Sequence, residues 1–159
     1  MQTSPPPTKP SPRTIPPVDD FLEFEYAITL HRPWPYAIAH LGKDIENRTR
    51  NLLCVKPQGW LAIHAGRGYD FTGEDWIRQR FPDCHLPELT EQRPGIIAIS
   101  QFLGNVSESQ SVWFGGPVGW QLGEVKVLLD AVDCPGKQGP WKPSEEIKNA
   151  VYENLKVPF

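Results

Sequence analysis

Three charged side chains lie close together in the sequence, at Lys43, Glu46 and Arg48. Lysine and arginine both hold phosphate or carbonyl oxygens, lysine as a point charge and arginine as a planar fork. A carboxylate between them can accept a hydrogen bond from an amino group of a ligand, or hold the arginine in place. If this stretch is extended, Glu46 and Arg48 share one face, because side chains alternate along a strand. The spacing therefore predicts a convergent polar site.

The same residues also fit a plainer alternative, a solvated edge strand whose opposite charges satisfy one another. Exposed pairs of that kind contribute about 0 to 1 kcal/mol each. In a hollow, by contrast, desolvation lowers the pKa of a lysine so that it can act as a base, although Glu46 favours its charged form. Lys43 and Glu46 are therefore the candidate catalytic residues, if the site is catalytic.

Two tryptophans and two histidines extend the candidate site. Trp34 and Trp60 can each stack under a base, which contributes about 1 to 3 kcal/mol per base, but both also fit core positions. His31 and His64 titrate near neutral pH and can shuttle a proton. His64 stands just before Gly66, in a stretch where small residues let a ligand approach the backbone closely. A hydrogen-bonded histidine at a strand end explains His64 equally well.

The elements that position these residues follow from apolar spacing and turn residues. Trp34, Ile38 and Leu41 recur at helical intervals between Pro33 and Gly42, which predicts a helix that ends at the glycine. Two later helices are predicted, one capped by Thr72 and ending before Pro82, the other capped by Ser144. Six strands are predicted, at residues 26–30, 44–51, 60–65, 95–103, 118–122 and 124–132.

These elements indicate an α+β fold that is mainly β. The strands are too unevenly spaced for a sandwich, and they do not alternate regularly with helices as in a parallel sheet. A small, mostly antiparallel barrel of about six strands, with short helices packed outside, fits them best. The 18 prolines and 13 glycines among 159 residues exclude a helical bundle.

Length and composition bound the domain organisation. A chain of 159 residues fits one compact domain, which we place at residues 21–159. Residues 1–20 are rich in proline and poor in apolar side chains, so we predict a disordered tail. No apolar run approaches the roughly 18 residues of a membrane helix, and the tail lacks an apolar signal core. The expectation is a cytoplasmic protein with no membrane partner.

Charge and cysteine content narrow the function further. The net charge of −3 argues against indiscriminate duplex binding, but residues 31–67 carry six basic and two acidic side chains, which makes them +4 and the remainder −7. The three cysteines, Cys54, Cys84 and Cys134, form no CxxC pair. We therefore predict no disulfide framework, no metal site and no cofactor.

The stretch TLHRPWPYAIAHLGKDIENRTR, with GWLAIHAGR and more loosely the region from PGIIAIS to GKQGPW, resembles the ASCH-domain family of PUA-like barrels. The hallmark of that family is a G-x-K-x-x-E-x-R type motif. Lys43, Glu46 and Arg48 fall on its lysine, acid and arginine, whereas the glycine is one place late at Gly42. The resemblance spans about residues 26–142 and leaves out the tail and the last helix.

This resemblance implies a mixed PUA-like barrel with a charged cleft that binds RNA or a modified, nucleotide-like ligand. The residues expected to line the cleft are Lys43, Glu46, Arg48, Trp34, His31 and His64.

The resemblance also implies an alternative function, because some relatives hydrolyse acylated nucleosides or RNA. The family's amidohydrolases use a threonine three residues after the motif lysine and a glutamate on a later strand. Here Glu46 replaces that threonine, and Ser100 and Gln101 stand where the later acid is expected, so that mechanism does not carry over intact. A third possibility is an adaptor that binds a partner protein through the proline-rich tail and an acidic surface.

Overall fold

The computed structural model describes residues 22–155, so the tail predicted for residues 1–20 lies outside the described residues. Within that range the chain forms five strands and three α-helices, with a short 3-10 turn at Leu89–Glu91. The strands are β1 (Phe24–Arg32), β2 (Ile45–Arg48), β3 (Trp60–Tyr69), β4 (Gly95–Val106) and β5 (Val118–Val132). The helices are α1 (Trp34–His40), α2 (Phe71–Arg80) and α3 (Glu145–Asn154).

The five strands form one curled mixed sheet, a half-barrel with the order β1-β3-β4-β5-β2. β1 and β3 pair in parallel, and the other neighbours pair antiparallel. The predicted α+β class, mainly β with short helices, is confirmed. The predicted number of six strands is wrong for the part of the chain that the structure describes.

The strand count differs because the runs predicted at 118–122 and 124–132 form one continuous strand, β5. Gly123, which separates the two runs in the sequence, does not turn the chain. A Cβ atom there would lie 3.0 Å from Cδ2 of Leu103, so the glycine makes room for a side chain from β4. The β4–β5 pairing shifts register on both sides of Phe102, and such irregularities bend a strand without ending it.

Caps explain where two helices begin. The N-cap of α2 is Asp70, whose carboxylate accepts a hydrogen bond from the Gly73 N–H at 2.8 Å, so the prediction of Thr72 as the cap is wrong. The predicted cap of α3 is confirmed, because the Ser144 hydroxyl accepts from the Ile147 N–H at 3.2 Å. Both are short polar side chains of the type that satisfies the unpaired N–H groups of a first turn.

The core lies on both faces of the interior strand β3. Leu61 and Ile63 belong to one buried cluster and Ala62 to another, which explains why this strand is apolar at successive positions. A third cluster lies where α1 and α2 meet the start of β2, and includes Ala37, Ile45, Ile77, Leu86 and Trp113. Among residues 22–155 there is no helix with the length and apolar character to cross a membrane.

Candidate functional site

Lys43, Glu46 and Arg48 form one ionic network at β2. The Lys43 ammonium lies 3.4 Å from Oε1 of Glu46, and Nε of Arg48 donates to Oε2 of Glu46 at 3.0 Å. Lys43 is 4% exposed and Glu46 is 7% exposed. The ammonium also donates to the main-chain carbonyl of Ile45. This network therefore differs from a solvated edge strand, because two of its three charges are withdrawn from water.

The turn before β2 delivers Lys43 to this position. Gly42 follows α1 with a φ of +75°, a left-handed conformation that glycine adopts without steric cost. The main-chain N–H of Lys43 then donates to the Ala37 carbonyl at 3.1 Å, which ties the turn back to the helix. β2 pairs antiparallel with β5, and the residue opposite Glu46 is Trp120.

A cavity of about 470 Å³ lies beside the buried Lys43–Glu46 pair. This volume is within the range of about 300 to 1,000 Å³ that small-molecule sites occupy. Its walls combine aromatic rings with a few polar groups. The side chains that define it are Trp34, Trp76, Trp113, Lys43, Glu46 and Asp70. We call it the aromatic cavity.

Three tryptophans from separate parts of the chain meet at the aromatic cavity. The ring centroids of Trp34 and Trp76 are 6.3 Å apart, and those of Trp76 and Trp113 are 5.5 Å apart. Phe81 stacks on Trp113 from behind, with the centroids at 5.0 Å. The Lys43 ammonium lies 5.4 Å from the Trp34 centroid and 6.0 Å from that of Trp113, where the electron-rich faces attract it. The cation and the aromatic walls therefore form one packed unit.

Asn47 holds the loop that carries Trp113. Its side-chain N–H donates to the Trp113 carbonyl at 3.0 Å, and its Oδ1 accepts from the Gly115 and Gly116 N–H groups at 2.8 and 3.1 Å. These bonds join β2 to the connection between β4 and β5. The strand that carries the charges thus also positions an aromatic wall.

Asp70 positions the opposite wall. Its Oδ2 accepts a hydrogen bond from the Trp34 indole N–H at 2.9 Å, while its Oδ1 caps α2. The Gly73 N–H bond, and after it the Trp34 bond, hold the pKa of Asp70 below its ordinary value, so the carboxylate stays charged. A Cβ atom on Gly73 would lie 2.5 Å from Cζ2 of Trp34, so the indole packs directly on the first turn of α2.

The electrostatics of Lys43 follow from its burial. Desolvation lowers the pKa of Lys43, and the charge of Glu46 and its hydrogen bond oppose that shift. The ammonium is therefore costly to keep without its carboxylate partner. A lysine in this setting can hold an oxygen of a ligand or, once deprotonated, accept a proton.

The six residues predicted from the sequence do not line one cavity. Trp34, Lys43 and Glu46 line the aromatic cavity, whereas His31, His64 and Arg48 line a second cavity of about 550 Å³. We call this the cationic cavity, for the charges described below. The Arg48–Glu46 hydrogen bond connects the two sets.

The two histidines have different surroundings in the cationic cavity. His64 is 2% exposed, and its Nε2 lies 2.7 Å from the Cys134 carbonyl, so Nε2 carries the proton. Burial lowers the pKa of His64, and its Nδ1 has no hydrogen-bond partner within residues 22–155. His31 is exposed and lies against the backbone of Gly68. Neither histidine belongs to the group that surrounds Lys43.

Sequence reasoning missed four residues of the aromatic cavity and offered one tryptophan that lies elsewhere. Trp60, a stacking candidate, lines a separate cavity of about 750 Å³. The missed residues are Asp70, Asn47, Trp76 and Trp113. Gly73 and Trp76 are three residues apart and therefore share one face of a helix. That spacing is the sequence signal that could have placed the Trp76 ring on the same face as the glycine. Trp113 lies in a loop, where no periodicity marks it.

Comparisons with known proteins leave the family open. No protein-family model matches the chain, and a search of curated proteins finds no match. Among residues 22–155, the structure brings together no group of three or more His, Cys, Asp or Glu side chains that could hold a metal ion. The case for a function therefore depends on the geometry of the two cavities.

Proposed function

We propose that this chain is an ASCH-like domain of the PUA type that binds RNA or a nucleotide-like ligand, with a base held in the aromatic cavity. The observation that carries the proposal is the combination of three tryptophans with a buried lysine–glutamate pair at one cavity of about 470 Å³. Every base has an aromatic face, so stacking on the three tryptophans tolerates any base and places little restriction on the RNA sequence that binds. The resemblance of the motif at Lys43, Glu46 and Arg48 points to the same function.

The polar groups of the aromatic cavity suit the edge of a base better than a phosphate. Lys43 contributes one positive charge, and Glu46 and Asp70 contribute two negative charges. Each Glu46 oxygen receives one contact from the network, and a carboxylate has about four lone-pair positions in all. Glu46 can therefore still accept a hydrogen bond from a base amino or imino group.

Replacing Trp76 with alanine tests the proposal with little risk to the fold, because this ring is 36% exposed. We expect the affinity for a panel of single-stranded RNA pentamers to fall by about 5- to 150-fold, which corresponds to the loss of one stacked base. Fluorescence anisotropy measures this change. Trp60→Ala is the matched control, because Trp60 lines the separate 750 Å³ cavity. The affinity of this variant for the same RNA pentamers should equal that of the wild type. Equal affinities for the Trp76 variant and the wild type would refute base stacking here.

The buried Lys43 favours a second candidate function, hydrolysis of an acylated nucleoside or of RNA. Burial lowers the pKa of this lysine beside the cavity, although Glu46 opposes the shift, and a lower pKa increases the fraction of unprotonated amine that can accept a proton. On this proposal the wild-type protein releases cytidine from N-acylated cytidine or cleaves single-stranded RNA, with a rate that rises with pH as Lys43 loses its proton. The Lys43→Met variant should be inactive. An identical product yield from both proteins would exclude Lys43 chemistry.

A further inference from the structure

We propose that the cationic cavity binds backbone phosphates of a single-stranded nucleic acid whose base occupies the aromatic cavity. This inference rests on the proposed function and narrows its ligand from a free base or nucleoside to a strand. It concerns residues outside the motif, because Arg67 and Lys137 lie on β3 and in the segment after β5.

Two of the three basic side chains that line the cationic cavity have no partner among the described residues. Arg48, Arg67 and Lys137 line this cavity, and Asp133 is the single carboxylate among the described residues that line it. Within residues 22–155, the side chains of Arg67 and Lys137 have no hydrogen-bond or ion-pair partner, whereas Lys126, for example, pairs with an acid. Exposed cations without a protein partner are available to phosphate oxygens.

Two other cavities of the same chain have a different balance of charges. The cavity of about 750 Å³ has three glutamates and two lysines among its lining residues. The aromatic cavity has two carboxylates and one lysine. Arg48 is already paired with Glu46, but Arg67 and Lys137 beside the single carboxylate of Asp133 still leave a local excess of positive charge in a chain whose net charge is −3. Of these three cavities, the cationic cavity is the one that attracts a polyanion.

Arg48 connects the two cavities. Its Nε donates to Glu46, which lines the aromatic cavity, while the residue itself lines the cationic cavity. Its guanidinium carbon lies 4.9 Å from the centroid of the Trp120 ring, which supports the plane of the fork. Its two terminal nitrogens form no hydrogen bond with the described residues. On this proposal they bind the phosphate that adjoins a base held beside Glu46.

The main chain is exposed at two glycines of the cationic cavity, Gly68 and Gly136. A Cβ atom on Gly68 would lie 2.3 Å from Nδ1 of His31, and one on Gly136 would lie 2.7 Å from Cε1 of His64. The missing Cβ atom therefore leaves room for a histidine ring at each position, while the exposure of the two glycines is what makes main chain available at the wall. Phosphate is commonly bound by main-chain N–H groups together with arginine and lysine.

The experiment compares Arg67→Ala and Lys137→Ala with Lys56→Ala, a control that removes the same charge from an exposed lysine of the 750 Å³ cavity. Binding of a single-stranded RNA pentamer is measured by anisotropy between 50 and 200 mM salt. For each test variant we expect the slope of log K against log salt to become shallower by about 0.7, the value for one lost single-strand phosphate contact. The Lys56 variant should keep the wild-type slope. Affinity for the corresponding nucleoside, which has no phosphate, should not change in any of them.

Each other outcome overturns a defined part of the inference. If Arg67→Ala and Lys137→Ala retain the wild-type slope while Trp76→Ala loses affinity, the cationic cavity is not a phosphate site and the base site stands. If a nucleoside monophosphate binds as tightly as the pentamer, and if Arg67→Ala and Lys137→Ala weaken its binding as much as they weaken that of the pentamer, the ligand is a free nucleotide. That result would refute the proposal of a single strand. If the wild-type protein binds neither RNA nor nucleoside, the proposed function fails together with this inference.

Discussion

The Glu46→Gln variant is expected to lose about 3 to 5 kcal/mol of unfolding free energy, because it leaves the buried Lys43 ammonium without its carboxylate. Glutamine preserves the volume and one acceptor oxygen but removes the charge. The remaining partners of Lys43 are the Ile45 carbonyl and the faces of Trp34 and Trp113. None of them carries the negative charge that balances a desolvated cation.

Urea unfolding at several pH values measures this loss and identifies its cause. Burial lowers the pKa of Lys43 and Glu46 raises it, so the variant shifts this pKa further below 10.5. In the folded variant, Lys43 then binds its proton less tightly than it does in the unfolded chain. The difference in unfolding free energy between wild type and variant should therefore shrink as the pH rises through the folded-state pKa of Lys43.

Two controls separate the buried pair from an ordinary one. The double variant Lys43→Met, Glu46→Gln should recover most of the lost stability, because it removes the unpaired charge as well. Glu124→Gln removes one member of an exposed pair with Lys126 and should cost about 0 to 1 kcal/mol. A loss below 1 kcal/mol for Glu46→Gln would show that Lys43 is not held by this carboxylate.

Replacing Phe102 with alanine is expected to lower the unfolding free energy by about 3 to 5 kcal/mol, the usual cost of emptying the space of a buried phenylalanine. Phe102 is 1% exposed and packs in the cluster that contains Leu61 and Trp120. Its main-chain N–H donates to the Gly59 carbonyl at 2.8 Å, and that bond survives the substitution. The expected loss therefore reports side-chain packing.

Thermal or urea unfolding measures the Phe102 effect, and Leu129→Ala is its control. Leu129 lies on β5 and is 58% exposed, so its truncation should change stability by less than about 0.5 kcal/mol. Similar losses for the two variants would contradict the assignment of Phe102 to the core.

Local chemistry explains what the sequence could predict. The apolar run that begins at Trp60 lies within β3, and Ser144 caps the last helix, because burial and capping act on neighbouring residues. The apolar run at Ile96 has a burial pattern that local sequence could not predict. Ile96 and Ile99 are fully buried and Ile97 is half-buried, because the pairing with β5 shifts register between Ile96 and Ala98. No spacing in the sequence reports such a shift.

The composition of the aromatic cavity could not be predicted, because long-range contacts assemble it. Asn47 and Trp113 are 66 residues apart, and their hydrogen bond depends on the pairing of β2 with β5. Trp34 and Asp70 meet across 36 residues for a similar reason, at the junction of β1 and β3 with their helices. The motif at Lys43 predicted the charges at the site, but the aromatic walls come from segments that resemble ordinary core and loop.

The shortest strand, β2, supplies residues to both cavities. β2 has four residues, pairs only with β5 among the described strands, and supplies Glu46, Asn47 and Arg48. If the few hydrogen bonds between β2 and β5 open, the side chains of Glu46, Asn47 and Arg48 lose their positions together. Since the least stable parts of a fold open at lower free energy than its core strands, local opening of this short edge strand would disrupt both cavities together without requiring β3 and β4 to unfold.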